Sequence, residues 1–118
     1  MLFRSNAHGT ATKIGDAVEA EALAEVWGGA LPGLQVSSTK ALHGHLLGAA
    51  GALEAVITVL VLAEQRLPPN APGSVPDPAC PLNLVRETGQ AAPGLQAAVT
   101  STFAFGGTNA TLLFRRVG

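Results

Sequence analysis

The apolar positions of this 118-residue chain fall into blocks of different period. Residues 15–28 repeat at helical spacing, with Val18, Ala22, Val26 and Trp27 on one stripe and Glu21 and Glu25 off it, and Gly28–Gly29 stop the pattern. After the Pro32–Gly33 turn, residues 34–38 (LQVSS) predict a short strand. Gly44 then precedes a long apolar run that predicts a helix from His45 to Arg66, ended by Pro68 and Pro69. Residues 68–94 hold seven of the eight prolines and predict an extended surface segment, with residues 82–85 (LNLV) as a short strand. Residues 95–103 and 109–116 predict two strands joined by the glycine turn AFGGTN, an antiparallel pair. The order is helix, strand, buried helix, loop, strand, strand. It predicts an α/β fold, a mixed sheet layered against a buried central helix, with residues 1–118 as a single unit.

Residues 46–63 carry one charge, Glu54, and just meet the length of a membrane span. A charge at mid-span costs about 2.5–3.5 kcal/mol, so the run reads instead as a core helix apolar on all sides. Composition says what covers it. Charged residues are 13% of the chain against roughly 25% in soluble proteins. A domain this small has much surface to solvate, so other protein is expected to cover part of it. The net charge of −1 disfavours nucleic acid and an electrostatic membrane anchor. Mean hydropathy of +0.34 excludes disorder. One cysteine excludes an internal disulfide or a thiolate metal cage, and MLFRSN has no signal-peptide core.

Three segments depart from ordinary packing: residues 6–12 (NAHGTAT), 38–45 (STKALHGH) and 103–109 (FAFGGTN). Taken singly, His8 is a loop histidine, Lys40 a surface lysine and the glycine turn a β-turn unlike a phosphate loop. His43 and His45 lack a third metal ligand, so no metal site is expected. Taken together they change meaning. His45 at the start of the long helix meets its positive dipole end, which favours neutral imidazole. His8 also precedes a helix, and two neutral histidines can donate N–H groups to one developing oxyanion. Glu54, buried, needs a cation, and Lys40 is the nearest in sequence. Asp16 and Glu19, three apart on one helical face, are candidates for the same ionic cluster.

The strings NAHGTAT…GDAVE, STKALHGHLLGAAGALEA and FAFGGTNATLLF closely resemble the C-terminal half of β-ketoacyl-acyl-carrier-protein synthases, from Asn6 to Phe114. LHGHLLGAAG is similar to the elongating fatty acid type, where modular polyketide ketosynthases end in NIGH. The resemblance implies a thiolase-like fold, a duplicated five-layer α/β unit of which this chain supplies most of the second half. It implies decarboxylative Claisen condensation of malonyl thioester with an acyl group held on a cysteine. His8 and His45 fall on the catalytic histidines that bind the malonyl carbonyl, Lys40 on the catalytic lysine, and Glu54 on the buried glutamate. Asp16 and Glu19 fall on its acidic partners, Thr10 and Thr12 on threonines at the pantetheine arm, and Phe105 on the gating phenylalanine. No cofactor is implied beyond the phosphopantetheine of the partner acyl carrier protein; a homodimer and a cytoplasmic location are implied.

The family's nucleophilic cysteine belongs to the other half of the fold. Cys80, in a proline-rich loop without a histidine or helix N-terminus, is not expected to replace it. MLFRS is expected to stand in place of the strand that precedes NAHGT in relatives. Ala104 replaces a frequent glycine, and His43 has no family role. The alternatives are a non-catalytic partner resembling the chain-length subunits of aromatic polyketide systems, or a truncated gene product.

Overall fold

In a computed structural model, residues 2–86 and 89–118 are described. The expected segment 68–94 therefore includes two residues, Glu87 and Thr88, that lie outside the described residues, as does Met1. The elements are β1 (Leu2–Asn6), α1 (Lys13–Trp27), a 3-10 turn (Gly28–Gly33), β2 (Leu34–Ser37), α2 (Lys40–His43), a second 3-10 turn (Leu47–Ala49), α3 (Ala50–Glu64), β3 (Arg66–Leu67), β4 (Asn83–Leu84), β5 (Gln90–Ala91), β6 (Leu95–Ala104) and β7 (Thr108–Arg115). Five strands form one mixed sheet in the order β4-β2-β1-β6-β7. β1 runs parallel to β2 and β6, β2 parallel to β4, and β6 antiparallel to β7. β3 and β5 pair separately.

Strand residues alternate between the two faces of the sheet. Ala7, Leu34 and Val36 pack with Phe3, Leu23, Trp27 and Leu31 under α1. Val61 and Leu62 of α3 pack on Leu67, Val85, Ala92, Leu95 and Ala98. The sheet thus lies between two helical layers, which is the layered α/β architecture expected.

Four expectations are corrected or sharpened. First, residues 2–6 are a strand, and it sits between β2 and β6 in the sheet. LFRSN has no β-branched residue and little alternation; pairing on both edges, rather than propensity, makes it a strand. Second, the long helix starts at Ala50, not His45, because Leu47 takes a positive φ of 51° and the chain passes through a 3-10 turn. It ends at Glu64, ahead of the prolines, where Gln65 adopts the left-handed conformation and caps it. Third, this chain buries one face of α3 and leaves the other as the surface expected to lie under other protein. Ala50, Glu54, Thr58, Val61 and Leu62 face inward, while Val56, Val59 and Leu60 are exposed. The stretch Leu47–Glu64 has the length and hydropathy of a membrane span. Here its inner face lies along β6 and carries Glu54. Fourth, the stripe Val18, Ala22, Val26 of α1 points outward. Asp16, Glu19, Ala20, Leu23 and Trp27 form the inner face. The carboxylates turn inward because backbone N–H groups await Glu19, a tertiary demand that apolar spacing does not register.

Arg4 is fully buried in β1. Nη2 donates to Ser37 Oγ at 2.9 Å and to Asn6 Oδ1 at 3.4 Å, while Nε and Nη1 have no partner among the described residues. Burial pulls its pKa down to about 10 from the ordinary guanidinium value. A cation whose folded pKa is lowered costs stability at every pH below that value, and the cost fades only as pH rises above about 10. Arg4→Met is therefore expected to stabilise the chain by about 1–3 kcal/mol at pH 7, read as a higher urea midpoint. A lower midpoint would show that the guanidinium's bonds to Ser37 and Asn6 outweigh its desolvation.

Candidate functional site

The site lies past the C-terminal ends of β1 and β2, where adjacent parallel strands release their chains on the same side of the sheet. β1 runs into Ala7–Gly9 and β2 into Ser38–His45. Ala7 N–H donates to Ser37 O, so the two segments leave the sheet in register.

Glu19, on the inner face of α1, reaches back to accept from His8 N–H at 2.8 Å and Gly9 N–H at 2.9 Å. Burial raises its pKa above 4.5, although both backbone N–H groups and Lys40 favour the carboxylate. From the opposite side Ser38 Oγ donates to Gly9 O at 3.1 Å. Ser38 N–H in turn donates to Asn70 Oδ1 at 2.9 Å, and Asn70 Nδ2 donates to Val36 O and Val85 O. Gly9 has a φ of +40°, and a methyl group on it would stand 2.6 Å from Ser38 Cβ. Only glycine fits there. His8 is thereby held through its own and the following peptide.

The His8 ring meets the His45 ring edge to face, with centroids 5.7 Å apart, and meets Phe103 at 5.4 Å. Burial lowers the His8 pKa below 6.5, with Lys40 and His45 adding to the effect against Glu54 and Asp16. His8 is thus less protonated than a free histidine at the same pH. The unfolded chain binds the extra proton as pH falls through 6.5, so His8 makes stability fall with acidification from there downward. An NMR titration is expected to place the His8 midpoint below 6.5, and a midpoint at or above it would overturn this reading.

His45 is exposed and stands five residues ahead of α3, so the helix dipole does not set its proton. A backbone amide does. Leu47 N–H donates to His45 Nδ1 at 3.1 Å. An amide can only donate, so Nδ1 accepts and the proton of the neutral ring sits on Nε2.

Beneath the histidines, Lys40 Nζ bonds Glu54 Oε1 from the inner face of α3. Both side chains are almost wholly out of water. It is the sole ion pair among the described residues. Of the other acids expected in the ionic cluster, Glu19 accepts from backbone N–H groups, with Lys40 and Asp16 near enough to act on its carboxylate, and Asp16 Oδ1 is buried with no partner among the described residues. Thr10 Oγ1 and Thr12 Oγ1 stand 3.4 Å apart at the mouth of α1. Phe105 lies at the tip of the β6–β7 turn, wholly exposed, and the aromatic that touches His8 is Phe103. His43 bonds Gly44 O and Thr39 Oγ1. Cys80 lies in the loop that carries the prolines, with its thiol pushed up by burial, by Asp77 and by Asp16. Among the described residues no three metal-ligating side chains converge.

Sequence reasoning missed Ser38, Asn70 and Phe103. Ser38 and Phe103 lie inside the segments already singled out. Asn70 has no local signal, since its partners are 15 to 34 positions away.

The family model described as β-ketoacyl synthase, C-terminal domain, matches residues 5–74. The chain belongs to the β-ketoacyl synthase family. It is 42% identical over 112 residues to nodulation protein E of Rhizobium sp. (strain N33), covering 95% of this chain and 28% of that protein. It is 41% identical over 116 residues to 3-oxoacyl-[acyl-carrier-protein] synthase 2 of Synechocystis sp., covering 98% and 28%. Among solved structures, a β-ketoacyl synthase from Burkholderia phymatum superposes with a TM-score of 0.88 at 37% identity, over 100% of this chain and 28% of that one. The ishigamide ketosynthase/chain length factor superposes with a TM-score of 0.90 at 31% identity, over 99% and 28%. The β-ketoacyl synthase fold is thus the one seen here, in its thiolase-like form, and the chain spans just over a quarter of these relatives.

Proposed function

We propose that this chain supplies the malonyl-activating part of a 3-oxoacyl-[acyl-carrier-protein] synthase, an acyltransferase of fatty acid synthesis. The observation that carries the reading is the pair of histidines ring against ring, with the His45 proton placed on Nε2 by Leu47 N–H and burial shifting His8 toward its neutral form. A thioester carbonyl placed between two such donors gains negative charge as the malonyl C–C bond breaks. The electron pair of that bond moves onto the carbonyl oxygen, CO2 leaves, and two neutral N–H groups hold the enolate. The enolate carbon then attacks the acyl thioester on a cysteine that the resemblance places in the other half of the fold, forming the new C–C bond as the acyl C–S bond breaks and the cysteine leaves as thiolate. The thiol of Cys80, in a proline-rich loop and raised in pKa, does not serve.

Lys40, paired to Glu54, fixes positive charge under the histidines and helps keep His8 unprotonated. Thr10 and Thr12 are proposed to meet the pantetheine arm, Phe105 to gate the acyl pocket, and Asp16 with Glu19 to support the His8 loop. The partner is an acyl carrier protein, with a homodimer, a cytoplasmic location and no bound cofactor. A membrane or nucleic acid has no part in this reading. The exposed apolar side of α3 supports a further layer of protein over it.

A second reading is a non-catalytic partner of an intact synthase, favoured by the likeness to a ketosynthase/chain length factor. The full set His8, Lys40, Glu54, His45 weighs against it, since a partner has no use for a proton-ordered histidine pair. The test is complementation. The chain alone, given acyl and malonyl carrier protein, is expected to form no β-ketoacyl product; adding the N-terminal part of a relative is expected to restore it. Turnover by the chain alone, or binding to an intact synthase with no gain of activity by the added part, would overturn the proposal.

A further inference from the structure

His43 is the histidine that the proposed reaction does not use. It closes α2, between Lys40 and His45, and both of its ring nitrogens are engaged. Nδ1 lies 2.8 Å from Gly44 O and Nε2 lies 3.0 Å from Thr39 Oγ1. A carbonyl oxygen only accepts, so Nδ1 carries a proton; in the neutral ring Nε2 then accepts from the Thr39 hydroxyl. With both nitrogens occupied the ring offers no lone pair to a metal or a substrate proton.

Its two contacts differ in rigidity. Thr39 is buried, its N–H donates to Asn6 Oδ1 at 3.4 Å, and its carbonyl accepts from Leu42 and His43 N–H. Gly44, by contrast, is exposed and leaves α2 at a φ of 80°. The Gly44 carbonyl belongs to the peptide that joins Gly44 to His45. Its plane sets the direction in which the His45 side chain leaves the backbone. On the far side His45 Nδ1 accepts from Leu47 N–H, its one side-chain hydrogen bond among the described residues. The imidazole of His43 therefore spans from the buried start of α2 to the peptide that aims His45.

We propose that His43 is a positioning residue for His45, locking the Gly44–His45 peptide so that the His45 ring keeps its edge-to-face contact with His8. This rests on the donor role given to His45 above. The geometry also accounts for a histidine at this place: Nδ1 reaches the following carbonyl while Nε2, across the ring, reaches Thr39 four residues back.

The test uses the chain with His43→Ala, His43→Asn and His43→Gln. Asn retains a donor near Nδ1, and Gln a donor or acceptor near Nε2. In ¹⁵N spectra of labelled histidine, wild-type His45 is expected to show protonated Nε2 and bare Nδ1. His43→Ala is expected to mix the two tautomers and lose the His8–His45 ring contact, and His43→Asn to restore both. In the complemented enzyme His43→Ala is expected to lower malonyl decarboxylation kcat about tenfold at unchanged KM. His43→Asn is expected to recover it to within about twofold. An unchanged His45 tautomer and ring contact in His43→Ala would overturn the proposal. Should His43→Ala fail to fold, His43→Asn and His43→Gln decide it: the proposal requires Asn to hold His45 and Gln to release it, and the reverse order overturns it. Loss of His45 order in His43→Ala, together with full decarboxylation by His45→Ala, would sustain the positioning and overturn the function proposed for His45.

Discussion

Glu54→Gln is expected to destabilise the chain by about 3–5 kcal/mol, because it leaves the Lys40 ammonium buried without a counter-charge. Glu54 is wholly buried and the Lys40 side chain almost so, so water cannot take over the lost partner. Lys40→Met is expected to cost a similar amount by stranding the carboxylate, whose Oε2 already lacks a partner among the described residues. The double variant Lys40→Met with Glu54→Met is expected to recover most of the loss, since an apolar pair pays no desolvation. The urea midpoints of the four proteins form a double-mutant cycle, and their coupling measures the pair. Additive losses would mean that the two charges do not act together. The same double variant is expected to be inactive after complementation, as the charge beneath the histidines is gone while the fold remains.

His45→Ala in the complemented enzyme is expected to lower malonyl decarboxylation by about 10²–10³-fold, the usual loss when one oxyanion donor is removed. Transfer of the acyl group to the cysteine is expected to continue, because that step belongs to the other half of the fold. His45→Gln is expected to retain part of the rate, having an N–H donor near the former Nε2. Release of ¹⁴CO2 from labelled malonyl carrier protein reads the first step, and covalent acyl label on protein reads the second. Loss of acyl transfer with decarboxylation intact would reverse the assignment.

Much of this site is legible along the chain. A buried glutamate in an apolar run demands a cation, and Lys40 meets it. His8 and His45, in two separate segments of small residues, end up ring against ring. The strands β2, β6 and β7 follow from alternation and turn chemistry, and they stand within a residue or two of where the pattern puts them. In each case the signal lies in the local residues themselves: apolar period, glycine turns, a lone charge.

Other features are settled by contacts distant in sequence. β1 is a strand because β2 and β6 pair with its two edges. The inner face of α1 is chosen by Glu19, which satisfies the N–H groups of His8 and Gly9 against the pull of the outward Val18 and Val26. The proton of His45 is placed by Leu47 N–H, a bond that exists because the chain turns before Ala50 and the helix starts late. Periodicity reports how much apolar surface an element must bury. It does not report where unpaired backbone groups will lie once the elements are assembled, and those groups orient the carboxylates and imidazoles of this site.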